Sequence, residues 1–559
     1  MSKIQLSQYQ TDIIDAFKKT HDNMFISALA GCGKTFILTE LSQYVDTYSV
    51  FIAFNKSIQE ELKTRITNPK FKTYTFNGLG YQIMSNNWEK MENERLKIQP
   101  NTKRKNIQLD SYKTKTMLSK IWSKYEEEIN ALCFDEEDDN IMRESIATLF
   151  DLCRQRMVNI NDEDSVLMVI EFYELFHGVS VPECICKFLN DLMLLDMQLF
   201  KEEGIVDFID QIFLTYILVK NGEWVLEYWH RFENIFLDEA QDVSTLQQLF
   251  IGILRRSKNS RIIAVGDKNQ AIYSFAGADC RAVDSLQRLY KTVEYELPVN
   301  YRCPAKHLRY VQRECNIPIK ARPNAPEGHL YNIDYDEIFD YIQAGDCILA
   351  RKNSDLCQII LELLQQGIPV YIRDEKLVNR LIAQINSAKK EINDMNNFPE
   401  YIENIRDKYK KAVIERTKKL QNEGVMDNTE VENMNFSDTN VDLLDCLELL
   451  YRNYCSDYKT NLKKLNDFDC FSRYVRNMLK TDGTKDSIQC VSIHQAKGKE
   501  YNRVFILNNA RVHYELASNP DQTQQEKNLS YIALTRSKDI LFLVNSPPDD
   551  DDYDMEMLF

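Results

Sequence analysis

Met24-Phe25-Ile26-Ser27-Ala28-Leu29-Ala30-Gly31-Cys32-Gly33-Lys34-Thr35 is the stretch on which the reading of this chain turns. A short apolar run stops at Ala28, two glycines follow at close spacing, and Lys-Thr opens a segment with helical periodicity. Such a layout suits a phosphate. The chain curls with its N–H groups inward while a helix begins with its positive dipole end on the same spot. Gly31 and Gly33 keep Cβ atoms away from the phosphates and permit unusual dihedrals. Lys34 is placed to meet β- and γ-phosphates, and Thr35 to hold Mg²⁺. Ala28, where a first glycine often stands, completes the candidate ATP-binding loop with Leu29, Ala30 and Cys32. The competing reading is a glycine-containing turn before an ordinary helix, which the full pattern behind a strand disfavours.

Working outward, Ser7 is a candidate cap for a helix patterned on Ile13, Ile14 and Phe17. Gln10 carries an amide that both donates to and accepts from an adenine edge, although a lone glutamine is more often a surface residue. Two further strands are expected at Val50–Ala53 and Lys72–Thr75. They run into Phe54-Asn55-Lys56 and Phe76-Asn77-Gly78, at the strand ends where an open parallel sheet places its ligands. Phe54 and Phe76 are candidates to stack on bases, and Asn55 and Thr75 to bind a strand beside them; the alternative is that both rings are core. From about 86 to 230 helical periodicity takes over, as in 165–176 and 181–200. Asp135-Glu136-Glu137-Asp138-Asp139 reads as a solvated acidic loop. Asp207 and Asp210 read as capping or surface charge rather than metal ligands.

A strand resumes at Asn234-Ile235-Phe236-Leu237 and ends in Asp238-Glu239-Ala240-Gln241-Asp242. Adjacent acids at a strand end suit hydrolysis of a nucleoside triphosphate, Asp238 in the Mg²⁺ shell and Glu239 polarising the attacking water. An acidic pair at a helix start is the bland alternative. Arg261-Ile262-Ile263-Ala264-Val265 gives another strand, followed by Gly266-Asp267-Lys268-Asn269-Gln270-Ala271-Ile272-Tyr273-Ser274-Phe275-Ala276-Gly277.

Taken in order, these blocks resemble the superfamily 1 helicases of the UvrD/PcrA/Rep type. The resemblance continues through Leu297-Pro298-Val299-Asn300-Tyr301-Arg302, Val491-Ser492-Ile493-His494-Gln495-Ala496-Lys497-Gly498-Lys499-Glu500 and Leu529 to Ser537, so it covers nearly the whole chain. The wording Ala53-Phe54-Asn55-Lys56 is similar to the F-box DNA helicase branch and its viral relatives, without an F-box. The resemblance implies an α/β fold of two RecA-like P-loop domains with parallel sheets, each interrupted by a mainly helical insertion. The expected parts are 1–85 and 231–297 for the first domain around an insertion at 86–230. The second domain is expected at 298–373 and 488–545 around an insertion at 374–487, with an acidic disordered tail at 546–559.

It further implies that Gln10 reads adenine, Tyr301 stacks on it and Glu500 binds the ribose. Lys34, Glu239, Gln270, Arg302 and Arg536 carry hydrolysis, the two arginines as fingers on the transferring phosphate. Phe54, Tyr273 and Phe275 become stacking steps on single-stranded DNA, and His494 links the nucleotide and DNA sides. Ala276 stands where the family usually has Arg, Asn77 where histidine is frequent, and Lys499 where leucine is frequent. These departures bear on the grip on DNA, not on hydrolysis. Within the second insertion, 405–420 reads as a basic helix, whose charges suit a duplex backbone but fit a solvated helical face somewhat better, and 422–440 as a polar loop.

The whole chain agrees with this class. Its 559 residues exceed one core. No apolar run approaches the roughly 20 residues of a membrane helix, and the 14 cysteines lack C-x-x-C pairing. A cytoplasmic or nuclear, non-secreted protein is expected. The net charge of −16 excludes a general basic coat but not a local basic groove. The expected activity is ATP- and Mg²⁺-dependent movement on single-stranded DNA with unwinding at single/double-strand junctions, 3′→5′ by resemblance. The alternatives are a translocase that strips proteins from single strands, an ATP-gated recruitment module, and an RNA substrate. The terminal run Asp549 to Phe559 is read as a tip that docks on a replication or repair protein, against an autoinhibitory polyanion or an idle tail.

Overall fold

The computed structural model describes residues 6–133, 136–173, 175–176, 179–272, 281–372, 374–408, 411, 439–459, 462–480, 483–484, 486–507 and 520–545. The chain divides into two compact units, Met1–Pro298 and Val299–Phe559.

The first unit contains β1 (Met24–Ala28), β2 (Ser49–Ala53), β3 (Phe71–Thr75), the short pair β4 (Gln108–Leu109) and β5 (Ile205–Val206), then β6 (Asn234–Leu237), β7 (Arg261–Gly266) and β8 (Val293–Leu297). Six of them form one sheet in the order β3-β2-β6-β7-β1-β8, parallel throughout. Such a sheet is covered on both faces, which is why its central strands are near-continuous apolar runs. Alternate residues feed two cores. Ile26, Phe51, Phe236 and Ile263 pack with α1 (Gln8–Lys19) and α2 (Lys34–Ser42) on one side. Phe25, Val50, Ile52, Ile235 and Ile262 face the opposite core. Since all six strands run the same way, their C-terminal ends meet at one edge. There α2, α3 (Lys56–Arg65) and α4 (Phe76–Ile98) begin.

Helix α4 continues unbroken past residue 85. Beyond it, α5 (Lys113–Ile121), α6 (Glu126–Asn130), α7 (Glu136–Arg156), α8 (Glu163–Phe172) and α9 (Ile185–Glu203) build a core of their own from Met117, Ile146, Phe150, Phe188 and Leu192. The α/β architecture with a helical insertion therefore holds for this unit. The acidic run at 135–139 is a correction: from Glu136 onward it opens α7 instead of forming a loop, with Asp139 paired to Arg143 one turn on. Negative charge at a helix start is favourable.

Asp207 and Asp210 are corrected too. They do cap each other, each backbone N–H donating to the other's carboxylate at 2.8 Å. Neither, however, is surface charge. Asp210, at the start of α10 (Asp210–Lys220), accepts from Lys113 Nζ at 2.7 Å and from Arg154 Nη1 at 2.7 Å. Arg154 also reaches Asp207 and Asp151 at 2.7 Å, and Lys113 reaches Asp196 at 2.5 Å. Lys113, Arg154, Asp196 and Asp210 are at most 1% exposed. This buried cluster ties α5, α7 and α9 to α10, which packs on α4.

The second unit starts with a short pair, β9 (Val299–Asn300) and β10 (Lys320–Ala321). Its sheet has the order β11-β16-β15-β12-β14-β13, again parallel throughout. These strands are β11 (His329–Ile333), β12 (Cys347–Ala350), β13 (Val370–Ile372), β14 (Ile488–Ser492), β15 (Tyr501–Ile506) and β16 (Ser537–Val544). Helices between β13 and β14 share one continuous core with the sheet, for example Leu381, Phe398, Leu447 and Phe471 with Ile348 and Phe505. Of the expected basic helix, 405–408 and 411 are described. Arg406 there is locked to Glu403, Asp445 and Glu448, so it does not contribute to a free basic stripe. The remainder of that helix, residues 422–438 of the expected polar loop and the tail at 546–559 lie outside the described residues; Thr439 and Asn440 open a helix. Among the described residues no helix is long and apolar enough to cross a membrane.

Candidate functional site

After β1 the backbone turns through Gly31 (φ +65°) and Gly33 (φ +85°), left-handed positions that favour glycine. Gly33 caps α2 without offering a side chain, so its first-turn N–H groups are not claimed by a cap oxygen. Ala28, Ala30 and Cys32 are buried and form the scaffold of the loop, with the Cys32 thiol donating to Ala30 O at 3.5 Å. Leu29 N–H donates to Leu297 O at 3.3 Å, which fastens the loop to β8. Gln10 is 4% exposed. Its Oε1 accepts from Ser7 N–H in a reciprocal cap, and its Nε2 lies 4.0 Å from where a Cβ on Gly33 would stand.

Strands β1, β7 and β6 are neighbours, so the residues following each converge. Thr35 Oγ1 donates to Asp238 Oδ2 at 2.7 Å, and Lys34 Nζ meets Glu239 Oε2 at 3.0 Å. Burial alone pulls the Lys34 ammonium down, yet Glu239, Asp267 and Asp238 hold it above the usual lysine range. Burial and the adjacent Glu239 charge push the Asp238 carboxyl up to about 6. A half-buried hydroxyl beside a buried carboxylate whose negative charge is under-compensated is a hard-oxygen donor set that fits Mg²⁺. Gln270, 3% exposed, donates from Nε2 to Asp267 Oδ2 at 2.7 Å.

At the ends of β2 and β3 the two aromatic candidates part. Phe54 is 38% exposed and precedes Asn55, whose Oδ1 caps α3 by accepting from Ile58 N–H at 2.9 Å. Thr75 caps α4 by accepting from Gly78 N–H at 3.0 Å. Phe76 is a correction: inside the first turn of α4 it is 3% exposed and part of the core, with no ring face for a base. Asn77 Nδ2 donates to Phe208 O at 2.6 Å and holds Phe208, 54% exposed, near the same edge. Tyr273 and Phe275 lie outside the described residues.

In the second unit, Arg302 donates to Glu500 Oε2 at 2.8 Å and to Thr535 O at 3.3 Å. Glu500 also meets Lys538 at 3.3 Å. Tyr301 is 37% exposed. Arg536 differs from an exposed finger. It is 1% exposed and donates to Ile532 O, Lys499 O and Thr535 Oγ1 at 2.8–3.1 Å, inside its own unit. His494 is the second residue of a short helix, Ile493–Ala496, after β14. Burial, reinforced by Arg351 and Lys497, lowers its pKa to about 3. The ring is thus neutral in the folded unit, and the stability it contributes is full above about 6.5 and lost as pH falls toward 3. Urea melts should show stability declining below pH 6.5 by up to about 1.4 kcal/mol per pH unit; His494→Gln should flatten that slope.

Sequence reasoning left Gln241, Asp267 and Phe208 without roles. An amide between two acids in Asp238-Glu239-Ala240-Gln241-Asp242 was the available signal for the first. Phe208 had no local signal, because what presents it is Asn77, far away in sequence.

Residues 9–291, half of the chain, match the sequence profile of the UvrD/REP helicase N-terminal domain. The chain is similar to ATP-dependent DNA helicase Rep of Buchnera aphidicola, 25% identical over 357 residues, covering 61% of this chain and 46% of that protein. It is similar to ATP-dependent DNA helicase PcrA of Staphylococcus aureus, 23% identical over 646 aligned positions, 97% of this chain and 83% of that protein. It is also similar to DNA helicase II of Haemophilus influenzae, 33% identical over 106 residues, 19% of this chain and 14% of that protein. The aligned stretch thus spans less than half the length of the Buchnera and Haemophilus relatives.

Proposed function

This chain belongs to the UvrD/REP helicase family, and from that premise we propose that it is an ATP-hydrolysing DNA helicase that moves on single-stranded DNA. The observation that carries the reading is the convergence of Lys34 with Glu239 and of Thr35 with Asp238, residues some 200 positions apart, at 3.0 and 2.7 Å.

ATP enters with its phosphates on the N–H groups at the start of α2. Lys34 takes the β- and γ-phosphates and leaves Glu239. Thr35 and Asp238 hold Mg²⁺, which when bound neutralises phosphate charge. Freed from Lys34, the Glu239 carboxylate accepts a proton from water as the water oxygen bonds to the γ-phosphorus. The bond from that phosphorus to the bridging oxygen breaks, and ADP leaves with the electron pair. Gln270 senses the γ-phosphate. In the second unit the resemblance gives Arg302, now paired with Glu500, the role of a transition-state arginine, while Arg536 is held by Ile532, Lys499 and Thr535 of its own unit; Gln10, Tyr301 and Glu500 keep the adenosine roles the resemblance implies.

In the first unit the single strand meets the edge that carries Phe54, Asn55 and Thr75, which Phe208 joins by its exposure; Tyr273, Phe275 and His494 keep the DNA-side roles the resemblance implies. Movement is 3′→5′, in replication, repair or recombination. Strand displacement on 3′-tailed, 5′-tailed and blunt duplexes with ATP tests this. Unwinding of the 3′-tailed substrate alone is expected. ATP-driven removal of a bound protein without unwinding would favour the stripping translocase.

Phe54 and Phe76 give a paired test. Phe54→Ala should weaken single-strand binding by about 1–3 kcal/mol at unchanged melting temperature. Phe76→Ala should cost about 3–5 kcal/mol of stability through the cavity it leaves. Titration with a fluorescent oligonucleotide and thermal melts separate the two; identical behaviour would return Phe54 to the core.

A further inference from the structure

Gln241 lies two residues beyond Glu239, in a single turn (Ala240–Asp242), and is 1% exposed. Its amide works at both ends. Nε2 donates to Glu239 Oε2 at 2.6 Å and more weakly to Asp242 Oδ2 at 3.3 Å. Oε1 accepts from Asp267 N–H at 3.0 Å. The Asp267 carboxylate in turn accepts from Gln270. One side chain therefore joins the end of β6 to the end of β7, and the join terminates on the carboxylate oxygen that Lys34 also meets.

The surrounding backbone is shaped around this amide. A Cβ on Gly266 would stand 2.8 Å from Gln241 Oε1 and 3.2 Å from Gln241 N, so only a residue without a side chain leaves the slot open. Glu239 itself sits at φ +51°, an uncommon conformation for a non-glycine residue that persists only where neighbours enforce it. A carboxylate presented from such a backbone is aimed by what binds its oxygens. A hydrogen bond to an ionised acceptor is stronger and more directional than one between neutral groups, and the short bond from Gln241 is of that kind.

We propose that Gln241 is a positioning residue for hydrolysis, holding Glu239 Oε2 so that the other oxygen accepts the proton of the attacking water, and making that aim depend on the Asp267–Gln270 segment. The proposal rests on the reading of Glu239 as the water-activating group. Lys34 is drawn to the triphosphate during turnover, whereas the amide of Gln241 stays. Whatever moves Gln270 moves Asp267, and through its N–H the amide that aims the carboxylate.

Full-length Gln241→Leu, Gln241→Glu and Gly266→Ala test this by DNA-stimulated ATP hydrolysis and binding of a fluorescent ATP analogue. Gln241→Leu should lower kcat about 10–100-fold with KM within about threefold, as misaimed catalytic groups do. Gln241→Glu should fall further, since a carboxylate then faces a carboxylate. Gly266→Ala should reproduce the Leu variant by displacing the amide from the other strand, and the two should not add. Combined with Glu239→Gln, Gln241→Leu should change the residual rate less than about twofold, because its effect passes through Glu239. Wild-type kcat in a folded variant, a rise in KM alone, or the full loss repeated in the Glu239→Gln background overturns the proposal. If Gln241→Leu does not fold, Gly266→Ala, which keeps the glutamine, decides it. Wild-type turnover by Glu239→Gln would remove the reading of Glu239, and this inference with it. A dead Glu239→Gln beside fully active Gln241→Leu and Gly266→Ala would sink the inference alone.

Discussion

Glu239→Gln is expected to bind ATP and to hydrolyse it about 10²–10⁴-fold more slowly than the parent chain, the range for losing a positioned proton acceptor. The fold should survive, because a glutamine oxygen at the same place still accepts from Gln241 Nε2. It also removes the charge that, after burial, does most to raise the Asp238 carboxyl. Lys34→Ala should lose turnover to a similar extent for a different reason. The ammonium at the start of α2 meets the phosphates themselves, so nucleotide affinity falls with the rate. Phosphate release with and without single-stranded DNA, read beside fluorescent-nucleotide binding, separates the two. Near-parental turnover in Glu239→Gln would transfer the water-activating role to another group.

Arg154→Met should destabilise the first unit by about 3–5 kcal/mol, the cost of leaving buried charge uncompensated, and lower its melting temperature by roughly 10 °C. Methionine preserves length and some of the packing over Phe150, where the guanidinium now sits 4.4 Å from the ring centroid. It leaves Lys113 alone against Asp196, Asp207 and Asp210. The sign with pH follows from the carboxylates. Burial, then Asp196, already holds the Asp210 carboxyl above the ordinary range, while Arg154 and Lys113 pull it down. Without Arg154 it rises further. A folded state that keeps a proton the unfolded chain has lost gains stability as pH falls through that window. The deficit of the variant should therefore shrink as the pH is lowered from neutral. A loss below about 1 kcal/mol, or a deficit that widens in acid, would mean that the cluster is solvated.

Residues whose chemistry is local were legible from the sequence. The phosphate loop and the Asp238-Glu239 pair sit in contiguous patterns, and parallel strands of near-continuous apolar residues fixed where their ends must lie. Phe54 and Phe76 look alike in sequence, each following a strand beside a polar residue. One position decides their fates: Phe54 precedes the capping Asn55, while Phe76 follows the capping Thr75 and is swung by the helix onto the core. Asp207 and Asp210 were legible as caps but not as buried ions, because Lys113 and Arg154 lie far off on other helices. Gln241 was visible inside a motif and still silent, since its partners Gly266 and Asp267 belong to another strand.

The strand order of the first unit also sets a timetable. β1 lies between β7 and β8, and the earlier of these begins only at Arg261. On a ribosome adding about 5–20 residues per second, roughly 10–50 s separate the emergence of Ala28 from that of Gly266. Throughout that interval Met24-Phe25-Ile26 has neither neighbour, and an unpaired apolar strand is a template for the wrong partner. The helical insertion, with its own core from Met117 to Leu199, is complete well before the interval ends. Nascent chains of this protein thus pass through a stage with a finished insertion hanging from an unassembled sheet, the stage at which a holdase has most to cover. Because Leu29 is fastened to Leu297, a chain released short of that residue carries the sequence of the phosphate loop without the strand that shapes it.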